Sequence, residues 1–118
     1  MQMFVDPTTI YLHRDPIDFR AGINGLAARV EAEMGLSPLS GALFLFGNKG
    51  RDKIKILYWD ATGFALWQKR LEEARFLWPK RVPETVLTLT QDQLHWLLAG
   101  YDITAMKPHK SLVYSRVS

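Results

Sequence analysis

No cysteine occurs in the 118 residues, which excludes a disulfide framework and any thiolate metal site. A reducing compartment is the simplest setting for such a chain, so the sequence predicts a cytoplasmic protein. Long apolar runs are missing too: the longest, "ALFLF" at 42–46, falls far short of the ~20 residues a spanning helix needs. Asp6 and Pro7 interrupt the opening residues, so neither a signal peptide nor a membrane segment is expected. The three histidines, His13, His95 and His109, stand far apart with no H-x-x-x-H or H-E-x-x-H spacing, which predicts no metal site. Neither a G-x-x-x-x-G-K-S/T loop nor a G-x-G-x-x-G turn is present. The backbone cradles for nucleotide phosphates are thus absent, and no cofactor is expected.

Metal-assisted hydrolysis or nucleotidyl transfer requires carboxylates that converge on a cation. Here Asp15 and Asp18 fall at the start of a helical pattern, Asp52 falls in a turn, and Asp60 ends an apolar strand. Capping of the following turn accounts for Asp60. No catalytic residue is assigned, and a small metal-dependent nuclease is the least supported reading.

Apolar residues make up 47% of the chain and charged residues 23%, the balance of a folded globular protein rather than a disordered tail. The length suits a single domain, expected at 1–100, followed by a C-terminal tail at 101–118 without periodicity and expected to be partly disordered.

Local patterns predict an α+β fold, an antiparallel sheet centred on a β-hairpin and packed with two or three helices. Residues 8–13 are β-branched and aromatic enough for a strand. Asp15 as a cap, Pro16 in the first turn and Gly35 as a terminator predict a helix over 16–34. Phe19, Ile23, Leu26, Val30 and Met34 form its apolar stripe. Within it, Gly22 and Gly25 are read as points of close backbone approach. Strands at 42–47 and 53–59, joined by the turn "NKGRD", form the hairpin. Residues 64–75 fit a third hairpin strand or a helix. The spacing of Phe64, Trp67, Leu71 and Ala74, with strong helix formers around them, favours the helix. "VLTL" at 86–89 reads as a strand, and Thr90 with Gln93 makes a capping box for a helix at 91–99.

Charge is unevenly spread. Residues 49–81 hold nine Lys/Arg against four Asp/Glu, an excess of five in a chain whose net charge is +3. Arrays of this kind hold nucleic-acid phosphates through charge and counterion release. Lys53 and Lys55 are two apart on a strand, so they share a face, expected to be solvated, while Ile54, Ile56 and Tyr58 face a core. The candidate nucleic-acid-binding residues are Lys49, Arg51, Lys53, Lys55, Lys69, Arg70 and Arg75, with a purely solvated polar face as the competing reading. Trp59, Trp67 and Trp78 lie in the same region and are read mainly as core anchors, with Trp59 buried at a strand end.

Three stretches carry a family resemblance: "DFRAGINGL" at 18–26, "PLSGALFLFGNKGRDKIKILYWDATGF" at 38–64 and "LWQKRLEEARFLWP" at 66–79. Together they resemble the insertion sequence 66 family of accessory proteins, the TnpB products of the element's second open reading frame. The likeness covers about 9–103. It implies a non-catalytic bacterial protein that assists DNA transposition beside a separate, larger transposase. The matching positions are Asp18, Arg20, Gly22, Gly25, Leu26, Pro38, Gly41, Lys55, Trp59, Asp60, Gly63, Lys69, Arg70, Leu71, Glu72, Phe76, Trp78 and Pro79. The turn "NKGRD" is less arginine-rich than the family's usual form, and Ala74 stands where glycine is common. The expected partners are DNA, at element ends or as nonspecific duplex, and the transposase or other proteins of the same element. No membrane partner is expected, and a homo-oligomer is compatible with the chain. Two functions follow. One is phosphate-directed DNA binding. The other is a protein adaptor docking through Trp96 or Tyr101, with the same charges as a steering rim.

Overall fold

In this computed structural model, which describes residues 9–105, five short apolar segments pair into one sheet. They are β1 (Ile10–His13), β2 (Leu43–Gly47), β3 (Lys53–Asp60), β4 (Gly63–Arg70) and β5 (Val86–Leu89), in the order β4-β3-β2-β1-β5. Every residue of β2 is buried, and so are Ile54 to Leu57 of β3. Central strands of that kind need cover on both faces.

One face is covered by α1 (Ile23–Ala32), whose Leu26 and Val30, together with Met34, pack on Phe44, Phe46 and Leu57. The other is covered by α2 (Gln91–Leu98) and by Phe76 and Trp78, which close over Leu12, Leu43, Leu45, Ile54 and Ile56. Ile103 belongs to this second core, while 106–118, the bulk of the expected tail, lies outside the described residues.

The hairpin-centred α+β architecture is as expected, and β2, β3 and β4 pair antiparallel. The sheet as a whole is mixed, because β1 runs parallel to β2 and antiparallel to β5. Parallel neighbours need a crossover, and the connection that holds α1 supplies it.

Two local expectations are corrected. Residues 64–75 are not a helix: β4 pairs with β3 along its full length, from Asp60↔Gly63 to Lys53↔Arg70. The turn between them is Ala61–Thr62, with Ala61 at φ 51°. Continuous pairing of one strand with another outweighs the helix propensity of a few residues. Phe64 and Leu66 thereby face the α1 side and Trp67 the α2 side.

Nor does the first helix begin at Pro16. The Ile17 N–H donates to the Gly47 carbonyl, and the Asp18 carboxylate accepts the Arg20 N–H. The Phe19 and Ala21 carbonyls accept from Lys55 Nζ. Groups a helix would use are engaged elsewhere, so α1 starts only after Gly22, with no side-chain cap. The apolar stripe survives, with Phe19 and Ile23 partly buried in the α1-side core. Close backbone approach at Gly22 and Gly25 is not found: a Cβ at Gly22 would meet nothing within 4 Å, and one at Gly25 only Ala21 Cβ at 3.3 Å. The second helix has its capping box, Thr90 with Gln93.

Candidate nucleic-acid interface

Strand directions gather the basic connections at one end of the sheet. β1 and β2 finish there, β3 starts there, β4 finishes there and β5 starts there, as the parallel and antiparallel registers require. The segments 14–22, 48–52 and 71–85 therefore leave from the same end. Backbone bonds join them: Leu71 N–H to Asp52 O at 2.8 Å, Phe76 N–H to Arg51 O at 2.7 Å, and Arg14 N–H to Thr85 O at 2.9 Å. Trp78 Nε1 donates to the Arg14 carbonyl at 2.9 Å.

The hairpin turn is fixed from within. Asn48 Nδ2 donates to Asp52 Oδ1 at 2.7 Å, while Asn48 Oδ1 accepts the Lys53 N–H at 3.1 Å. The Asn48 bond is the main cause that holds the Asp52 carboxyl below the usual carboxylate range. Arg51 sits at φ 61°, in the left-handed region that side chains other than glycine rarely adopt.

The seven sequence-predicted contacts divide on this frame. Lys49 and Arg75 are exposed, and Arg51 and Lys53 half-buried. None of these four forms an ion pair among the described residues. Arg70 lies opposite Lys53 across the β3–β4 ladder and pairs with Glu72 at 3.0 Å.

Lys55 does not lie on a solvated face. Its residue is 7% exposed, with Nζ 2.8 Å from Phe19 O, 2.9 Å from Ala21 O and 4.9 Å from the Phe19 ring centroid. It shares a sheet face with Lys53 as expected, but that face is roofed here by 19–21. Lys69 projects to the opposite face, half-buried, and donates to the Leu98 carbonyl at the end of α2 at 3.1 Å. Both lysines are tied to the fold.

Two further cations of the same end, Lys80 and Arg81, border a cavity of about 320 Å3 together with Arg51, Leu77, Pro79 and Asp102. Both belonged to the basic run of the sequence. Only folding showed that they meet Arg51, since the Phe76–Arg51 backbone bond brings the two segments together.

Of the tryptophans, Trp78 is the deep anchor at 7% exposure. Trp67 and Trp96 pack partly buried against the α2-side core. Trp59, expected to be buried, is only half-buried and meets Phe64 edge-on at 5.0 Å. Tyr101 is 57% exposed.

The carboxylates stay apart: no group of three His, Asp or Glu able to hold a metal occurs among the described residues. Asp18, pulled down to about 2 chiefly by the Arg20 side chain, forms a surface ion pair at 2.6 Å. Among the described residues no helix is long and apolar enough to cross a membrane.

A family model described as IS66 Orf2 like protein matches residues 8–108. Two relatives from Sinorhizobium fredii (strain NBRC 101917 / NGR234), both uncharacterized, share 36% identity. The protein y4jC aligns over 98 residues, 83% of each chain. The protein y4hO aligns over 85 residues, 72% of this chain and 73% of the relative. No solved structure matches.

Proposed function

The chain belongs to the IS66 Orf2-like family, and on that premise we propose that it is a non-catalytic accessory protein of a bacterial insertion sequence that assists transposition by gripping duplex DNA through its phosphates. The observation that supports this is a set of cations with no ion pair among the described residues, Lys49, Arg51, Lys53 and Arg75, at the end of the sheet where the connections are hydrogen-bonded together. Positive charge gathered at one end holds a phosphate backbone through charge attraction and counterion release. Arg70 adds to it, whereas Lys55 and Lys69 support the platform instead of touching DNA.

The test is Lys49→Glu with Arg75→Glu, two exposed positions where reversal spares the core. Affinity for blunt duplex at low salt is expected to fall, and the log–log salt slope to become shallower by roughly two. Element-end and unrelated duplexes should lose equally, because phosphate contacts do not read sequence. If the folded variant binds duplex as tightly as the parent across the titration, the DNA reading fails.

The adaptor reading is then the stronger one. Its support is Tyr101, since Trp96 is partly buried against the core. Association with the transposase that survives nuclease treatment would favour it.

A further inference from the structure

The cavity at the basic end differs from the flat array around it. Arg51, Lys80 and Arg81 border it, and none of the three is in an ion pair among the described residues. The lining also includes Leu77, left 45% exposed, and Pro79. Among the described residues the one lining carboxylate is Asp102, engaged locally: its Oδ1 accepts the Thr104 N–H at 3.0 Å and the Thr104 hydroxyl at 2.6 Å. Three cations against one carboxylate select an anion. A bare phosphate on a duplex surface needs neither a recess nor an apolar wall. A volume of about 320 Å3, at the lower end of the range for small-ligand sites, suits one phosphate with a nucleoside attached.

Arg51 is the pivot. Its left-handed backbone, at φ 61°, is one that side chains other than glycine rarely adopt. It is held there by its own N–H to Asn48 O and by Phe76 N–H to its carbonyl, and so stays on the cavity margin.

We propose that this cavity holds one unpaired nucleotide of a DNA strand end, with the phosphate on Arg51, Lys80 and Arg81 and the base against Leu77 and Pro79. This rests on the duplex-binding reading and deepens it: the protein would bind duplex through the outer cations and recognise an open end through the cavity. Duplex DNA offers no unpaired base to fill the apolar side, so the site discriminates between the two forms.

The experiment compares one duplex, blunt or with a short single-stranded overhang, against the full chain. The parent is expected to bind the overhang form about 10-fold more tightly, the scale of one base packed against protein. Lys80→Ala with Arg81→Ala, both exposed, should abolish that preference and leave blunt binding nearly unchanged. Arg51→Gly, which relieves the backbone, should unfold at no lower urea concentration than the parent yet lose the preference. Leu77→Ser should shrink the preference without altering competition by inorganic phosphate.

Equal binding of both DNA forms by the parent would overturn the site and leave the duplex reading standing. Preference for the overhang without measurable blunt binding would do the reverse. The proposal also falls if Lys80→Ala with Arg81→Ala weakens both forms by the same factor. It falls equally if a polyglutamate peptide competes as well as a single-stranded oligonucleotide.

Discussion

At the residue scale, Lys55 shows how a charge pattern can mislead. Lysines are mostly exposed, and one two positions from another on a strand reads as half of a surface pair. Its acceptors, Phe19 O and Ala21 O, are 36 and 34 residues away in the chain. No local spacing announces them. Lys55→Met keeps the apolar stem but leaves both carbonyls without this donor, at a cost of about 1–3 kcal/mol. Urea unfolding should record that loss, while the folded variant binds duplex DNA as the parent does. Reversing Lys53 and Lys55 together would confuse folding with binding, because Lys55 is tied to the fold.

At the element scale, two contacts fix how strands and helices meet. A Cβ at Gly47, the last residue of β2, would stand 3.1–3.2 Å from the Trp78 ring. That ring cannot easily yield, being buried and bonded through Nε1 to Arg14 O. Gly47→Ala is therefore expected to destabilise by about 1–3 kcal/mol, read as a lower urea midpoint. If stability is unchanged, Trp78 has room to move.

The second contact joins α1 to β1. His13 is buried, with Nδ1 2.7 Å from Asp15 O and Nε2 2.7 Å from Glu33 Oε1. The hydrogen bond from His13, with Arg29 nearby, holds the Glu33 carboxyl below its ordinary 4.5. A depressed folded-state value means stabilisation that is present above 4.5 and lost as pH falls through the folded value. The stability gap between the parent and Glu33→Gln should close on acidification below 4.5. A gap that widens in acid would refute the assignment.

At the scale of the whole molecule, the modest net charge of +3 conceals a polar arrangement. Both cores are apolar and complete, so the sheet is a spacer that carries α1 on one face and α2 on the other. The three connections at one end are left free to carry function. Bonding among them brings the charges of 49–53 and 70–75 to one end of the sheet even though much of β3 and β4 intervenes in sequence. On the proposed reading, such a surface gives fast, sequence-independent encounter with DNA. Choice among DNA forms requires a shaped feature, and the cavity at Arg51 is the candidate.

What the sequence determined by itself were features set by neighbours in the chain. The hairpin of β2 and β3 follows from two apolar runs around "NKGRD", and the cap of α2 from Thr90 and Gln93. The apolar stripe of α1 and the family motifs were legible for the same reason. Tertiary structure decided what distant residues settle. Pairing with β3 made 63–70 a strand, and the demand of Lys55 for carbonyls delayed the start of α1. The crossover set β1 parallel to β2. Burial sorted the seven candidate cations into those that face solvent and those that hold the fold, and it brought Lys80 and Arg81 to Arg51. The physical reason is that propensity and patterning act over a few residues, whereas a buried polar group takes whichever partner folding places beside it.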